Sequence, residues 1–284
     1  MALDHFIPQV WDARILDALH KTLVFAEFYN QDYEGTISEM GDTVHIGMVQ
    51  DVTVKSFDCE QDLDSPEDVK VNDQTLKIDQ GDYFNISVCD VDMVQSAANL
   101  LDSATSQAGY NFGDKADQYL AKQLADAAGI TVTGTDETPT AVTEQNAYSL
   151  IVAAKVALDK ANCPKQGRKI ALPADFEGFM LLDSRFVRVG TDASNDRLEE
   201  GTIYRAAGFE IRTTNNCPTF TYGGNKTGYK FIASVQQQGT FANQILKTEA
   251  YRPEKRFADA VKGLHVYGAK TVRPEIVAVG KVSF

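Results

Sequence analysis

The residues that could do chemistry in this chain are four histidines, four cysteines, a glycine-rich turn and many carboxylates, and their spacing decides what each can do. His5, His20, His45 and His265 show no HExxH or HxxxH grouping, so they lack the shared face that helical zinc ligands need and read as satisfied structural histidines. Cys59, Cys89, Cys163 and Cys217 stand thirty or more residues apart with no CxxC pair, the pattern of reduced, inert thiols. Gly223-Gly224-Asn225-Lys226-Thr227 ends like a phosphate loop but lacks the leading glycine spacing and the strand-to-helix setting, and reads as a turn. No GxSxG elbow is present and no GxGxxG follows a strand, so nucleophilic hydrolysis and dinucleotide binding lack their first requirement. Glu199-Glu200 and Asp90/Asp92 would pair as acid and base only with one member desolvated, and their polar neighbours make them surface acids.

The run Asp58, Glu60, Asp62, Asp64, Glu67, Asp68 is the strongest local signal, because alternating acids can chelate calcium. Leu63 stands where an EF-hand needs its glycine and Val69 where it needs its closing glutamate, which excludes that motif. A looser cation site at a subunit contact stays open. No catalytic, cofactor-binding or metal residues are expected elsewhere, and no cofactor.

Charge is unevenly placed. Between Glu34 and Asp90 fourteen acids face only Lys55, Lys70 and Lys77, in a chain of formal net charge -13. The closing forty residues reverse the sign: Lys247, Arg252, Lys255, Arg256, Lys262, Lys270, Arg273 and Lys281 face Glu249, Glu254, Asp259 and Glu275. That end is built to touch something acidic. A chain so acidic overall repels phosphate at long range, which argues against sequence-reading of DNA, although a surface that encloses DNA without gripping it is compatible. At 284 residues and 43% hydrophobic content the chain is long enough for one large or two modest cores. No leader peptide and no run of about 18 apolar residues is seen, so the sequence predicts a protein that stays in the cytosol where it is made.

The elements that would position these residues follow from periodicity. Trp11, Ile15, Leu16, Leu19 and Leu23 recur at helical spacing after Pro8, giving an amphipathic helix that docks on its own domain or in a neighbour's groove. Thr43 to Met48, Val52 to Val54, Thr75 to Ile78 and Tyr83 to Val88 alternate as strands around the polar stretch Asp58 to Asp73, a long two-stranded excursion that should lie on another surface. Asp90 to Ala128 is one long helix with an apolar stripe through Val94, Ala98, Leu101, Ala104, Ala108, Phe112, Ala116, Tyr119 and Leu124, stopped by Gly129 and bent or broken near Gly109 and Gly113. Thr143 caps a second helix to Asn162 with Ala147, Leu150, Ile151, Ala154, Leu158 and Ala161 on one face. Lys169 to Leu172 reads as a buried strand and Ala174 to Leu182 as a helix, while Gly201 to Thr214 and Tyr229 to Val235 are strands around the turn-rich stretch Asn215 to Gly228. From Gly263 to Pro274 the parity of Leu264, Val266 and Val272 against His265, Tyr267, Thr271 and Arg273 predicts a half-buried strand, with a bulge at Gly268 and an end at Pro274.

The order of these pieces, closing with Tyr251-Arg252-Pro253-Glu254, then Phe257, then the strand GLHVYGAKTVRPE, resembles the major capsid proteins of tailed bacteriophages with the HK97 capsid fold. The resemblance implies an α+β architecture with an N-terminal arm over 1–33, an extended hairpin E-loop region over 34–90, a P-domain of spine helix and closing strands over 91–164 and 241–284, and an A-domain over 165–240. It favours the neighbour's groove for the N-terminal helix. It implies a structural protein, not an enzyme, that self-assembles through pentamers and hexamers into an icosahedral shell around double-stranded DNA, as a virion capsid assembled in the host cytoplasm. An encapsulin-like nanocompartment with the same fold is the alternative. Implied partners are further copies of the chain, a separate scaffolding protein, a portal, and packaged DNA held without sequence specificity, with no membrane. Expected assembly contacts are Trp11 on the arm, the acids Asp58, Glu60, Asp62 and Asp64, and the bases Arg252, Lys255 and Arg256, the acidic loop of one subunit lying over a basic surface of the next.

Overall fold

The computed structural model describes residues 23–31, 43–49, 68, 71–89, 100–183, 203, 205–255 and 257–284. Within them, strands β1 (Thr43–Val49), β2 (Val71–Lys77) and β3 (Gln80–Cys89) precede the long helix α1 (Leu100–Asp126). Strands β4 (Ile130–Thr133) and β5 (Thr140–Ala141), helix α2 (Ala147–Lys160), strand β6 (Arg168–Leu172) and helix α3 (Ala174–Leu182) follow. The remainder is β7 (Arg205–Ala206), β8 (Phe209–Thr213), β9 (Thr219–Tyr222), β10 (Lys226–Val235), β11 (Gly239–Tyr251), β12 (Ala258–Thr271) and β13 (Ala278–Ser283).

Three sheets result. Strands β1 and β2 form an antiparallel ribbon, with Thr43 opposite Lys77 and Val49 opposite Val71. A three-stranded antiparallel sheet runs β11-β12-β3. An eight-stranded mixed sheet runs β4-β13-β10-β6-β8-β7, with β5 also paired to β13 and β9 to β10. Helices α2 and α3 cover the larger sheet, burying Leu150, Ile151, Leu158, Phe176 and Met180 against Ile170, Phe209 and Phe231. A second core fills the seam between the two larger sheets, where Phe112, Ala116, Leu120 and Leu124 of α1 meet Ile232, Phe241, Tyr267 and Val279. Helix α2 and strand β13, grouped by sequence with the long helix and closing strands, share their core with the eight-stranded sheet.

Several elements depart from the sequence reading. Helix α1 runs without a break through Gly109 and Gly113, about 40 Å at 1.5 Å per residue. Both glycines lie one turn apart on its buried side, and packing of that face offsets a helix penalty of about 1 kcal/mol each. Regular helix α2 begins at Ala147, and Asn146 Oδ1 accepts the Thr143 N–H at 2.8 Å, so Asn146 closes the turn that Thr143 was expected to cap. The turn-rich stretch contains β9, and Gly223 and Gly224 form its hairpin turn into β10 with φ of 55° and 91°. Strand β12 is central and buried on both faces from His265 to Ala269, because β3 and β11 flank it, α1 covers one face and the ribbon root covers part of the other. The bulge falls in β11 between Ile245 and Lys247. Gly268 serves a close approach instead: a Cβ there would lie 2.4 Å from the Lys77 carbonyl oxygen.

The root of the expected arm is part of the subunit's own core. Residues 23–31 contain a short 3-10 turn, Phe25–Phe28, and Phe25, Phe28 and Tyr29 are fully buried against α1 and both large sheets.

Candidate assembly surfaces

Of the residues expected to make assembly contacts, Trp11, Asp58, Glu60, Asp62, Asp64 and Arg256 lie outside the described residues, and so does the side chain of Leu101. Arg252 and Lys255 are exposed on the turn that joins β11 to β12. The same turn carries Phe257, 87% exposed, so the basic tip is also apolar. It brings together residues from one stretch of sequence, whereas the surface beside it draws on three strands.

That surface is the outer face of the three-stranded sheet, the side away from α1. Alternation places Tyr83 and Asn85 of β3 on it, and strand register sets Tyr83 opposite Leu264 and Asn85 opposite Lys262, with Glu249 next in line on β11. Lys262 Nζ lies 2.9 Å from Glu249 Oε2 and 5.4 Å from the centre of the Tyr251 ring, and Asn85 Nδ2 donates to Tyr251 Oη at 2.9 Å. The hydrogen bond to Glu249 and its charge raise the Lys262 pKa, so the ammonium stays charged. Tyr83, 79% exposed, and Leu264 form an apolar row beside this polar one, and together they line a groove of about 390 Å³. Sequence alternation marked Tyr83 as a strand residue, but nothing local says that Leu264 lies opposite it.

The other half of the same face is already covered. Leu76 and Ile78 at the root of the ribbon, with Val44 and Ile46, pack over Val266 and Ala242. Over 43–47 and 73–75 exposed and half-buried side chains alternate, and His45 Nδ1 meets Asp73 Oδ2 across the ribbon at 2.7 Å in an exposed pair.

On the helix side α1 covers the sheet, leaving a groove of about 450 Å³ along β3 between Phe84 and Ile86 and the helix residues Ala104, Gln107, Ala108 and Asn111. Lys115 and Tyr267 both reach Asp82, the hydroxyl of Tyr267 donating to Oδ2 at 2.9 Å. His265 stacks on Tyr267 with ring centres 4.9 Å apart and stands 5.4 Å from Phe112. It was expected to be a satisfied histidine. It is fully buried and neither ring nitrogen has a hydrogen-bond partner, and this desolvation pushes its pKa down to about 4 despite the Asp82 charge. Burial also raises the Cys163 and Cys217 thiols, which makes both poor nucleophiles at neutral pH. Among the described residues no group of three His, Cys, Asp or Glu is placed to hold a metal ion, and no helix is long and apolar enough to cross a membrane.

A family model for phage capsid protein matches residues 72–279. A solved structure from Mycobacterium phage Che8 is 30% identical and superposes with a TM-score of 0.74, covering 91% of this chain and 90% of that one. The capsid of cyanophage P-SCSP1u, 15% identical, gives 0.73 over 92% of this chain and 88% of that one. A virus-like particle from Pyrococcus furiosus, 14% identical, gives 0.59 over 96% and 98%. No curated protein matches the sequence.

Proposed function

Since the chain belongs to the phage capsid protein family and is a capsid shell protein with the HK97-like fold, we propose that its copies close into rings of five and six that build an icosahedral shell around double-stranded DNA. The observation that carries this reading is the three-stranded sheet with one half of its outer face covered by the ribbon root and the other half open. A second copy fills the open half, and Tyr83 and Leu264 lose their exposure there. The acidic loop between β1 and β2 lies over a basic surface of a neighbour, with the exposed tip at Arg252, Lys255 and Phe257 as the best match in charge. Such exposed charge steers orientation more than it adds affinity.

On this reading the E-loop is the β1–β2 ribbon, the P-domain is α1 with the three-stranded sheet that also takes β3, and the A-domain is the eight-stranded sheet with α2, α3 and β13, while the arm keeps its place ahead of them. Assembly takes place in the host cytoplasm, and a scaffolding protein and a portal are the further partners. The test is electron microscopy and sedimentation of the expressed protein, alone and with its scaffold. Rings or shells are expected from the wild type, and folded but unassembled subunits from Leu264→Asp. A wild type that stays monomeric under every condition overturns the reading. The likeness to the Pyrococcus furiosus particle is one of fold and leaves cargo to be read directly: purified natural particles should contain nucleic acid, and particles filled with an enzyme would replace the virion by a nanocompartment.

A further inference from the structure

Residues 23–31 cross the seam between the two large sheets without joining either ladder, since their pairing is limited to one isolated bridge, Asn30 with Thr240. Polar side chains from three elements hold them. From α1, Asp117 Oδ1 accepts the Phe25 N–H at 2.6 Å. From the eight-stranded sheet, Lys169 Nζ and Arg212 Nε reach Glu27 Oε2 at 3.0 and 2.9 Å. From the stretch leading into β11, Gln238 Nε2 donates to the Phe28 carbonyl at 3.0 Å. Asp117 is fully buried, and Asn216 Nδ2 bridges its Oδ2 to Asp114 Oδ1, at 3.1 and 2.9 Å.

We propose that residues 23–31 are a releasable strap with Asp117 as its catch, able to lift from the seam while both sheets stay paired. The strap is bonded at once to α1, to the larger sheet and to the start of β11, so lifting it removes one tie across the seam while the chain connections β10–β11 and β12–β13 and the packing of α1 keep the sheets joined. Residue 22 leads directly into it, so a load on the preceding segment is delivered to the catch. This concerns the subunit itself and goes beyond the shell reading, whose failure would leave it standing.

Closure of the strap is linked to pH. Burial raises the Asp117 carboxyl to about 6, against the hydrogen bonds from Phe25, Asn216 and Val24 and with the Asp114 charge adding to the rise. A lifted strap exposes the carboxyl and returns it to about 3.8, so the closed state holds the proton more tightly. The catch is therefore tightest below about pH 4, loosens as the pH rises through 6, and loosens no further above that. Glu27, Cys217 and Tyr29, which also face the seam, keep their protonation across this range. Burial raises the Glu27 carboxyl, but the hydrogen bonds and charges of Lys169 and Arg212 outweigh it and keep Glu27 ionised. Burial raises Cys217 and Tyr29, which keeps both neutral.

Hydrogen–deuterium exchange of the full-length protein, read by mass spectrometry and corrected for intrinsic rates, tests this. In the wild type the opening constant of peptides covering 23–31 should rise about tenfold from pH 5 to pH 8, while peptides of β10 stay unchanged. Asp117→Asn should flatten that rise. Alkylation of Cys217, buried in the same core as the strap, should track opening, and alkylation of Cys163, in the core under α2, should not. Exchange of the strap only together with β10 overturns the proposal, as does an equal pH dependence in Asp117→Asn. If that variant does not fold, Asn216→Ala keeps the test open, since loss of a bridge to the catch should raise strap exchange selectively.

Discussion

The strap and the ribbon are both short segments ahead of α1 that sequence assigns to reaching a neighbour, yet one is core and the other is surface. Residues 23–31 place Phe25, Phe28 and Tyr29 within five positions, and all three are fully buried. The ribbon places one apolar residue in two, as Val44 and Ile46 do, so each strand has one face to bury and the described parts stay half-buried or exposed beyond the root. Aromatic density, more than place in the chain, separates an extension that belongs to its own fold from one left to meet another copy. Fully burying such side chains contributes about 1.5–3 kcal/mol each, enough to hold nine residues in place.

The largest expected effect sharpens this contrast. Phe28→Ala should cost about 3–5 kcal/mol in chemical denaturation, by lost transfer and by the cavity left in the seam. An unchanged midpoint would put the strap on the same footing as the ribbon. Deleting residues 1–31 should likewise lower the midpoint of a still cooperative transition, which an arm docked only on a neighbour would leave unchanged.

His265 tests the sheet between strap and ribbon. Its pKa of about 4 lies below the ordinary 6.5, so the folded state resists protonation and stability is lost as the pH falls from 6.5 to 4. The full loss is about 3 kcal/mol at 1.36 kcal/mol per unit. Because the raised Asp117 carboxyl contributes in the opposite sense over this range, the urea midpoint should change less favourably from pH 7 to 4.5 in the wild type than in His265→Gln. An equal change in both proteins would mean that the ring finds a partner or water.

Gly268→Ala acts where the ribbon root meets the sheet. The added Cβ meets the Lys77 carbonyl and Ile78, so about 1–3 kcal/mol is expected from overpacking, with the ribbon pushed off its seat. Faster proteolysis within 43–77, with the rest of the chain protected, is the signature to look for. The smallest effect belongs to the exposed ribbon pair: His45→Ala should change stability by less than about 1 kcal/mol. A larger loss would show the ribbon carrying its own stability, and the contrast with the strap would fail.

How far the fold was legible depended on whether the signal was local. Lys169 to Leu172 and Ala174 to Leu182 stand in the structure almost where periodicity puts them, because an apolar run ends at Pro173, which opens the next helix. The buried face of α2 was legible for the same reason, with Ala147, Leu150, Ile151, Ala154 and Leu158 buried, while Ala161, expected on the same face, caps the helix and is half-buried. The acidic and basic ends of the chain are matters of composition and need no fold at all.

What the sequence by itself determined was the kind of the strongly periodic elements, α1, α2, β6 and α3 among them, the face that α2 would bury, and the order of elements that resembles a capsid protein. What only the tertiary structure decided was partnership. Nothing local says that β13 leaves its neighbour in sequence to pair with β10, that β3 and β11 flank β12 and so bury both its faces, that α1 continues through two glycines, or that Tyr83 stands opposite Leu264. The reason is physical: periodicity records that a face meets something apolar, whereas the partner lies tens to hundreds of residues away and is chosen by which surfaces fit once the chain has closed. Asp117, ninety-two residues from Phe25, becomes a buried catch only when that closure brings the strap across the seam.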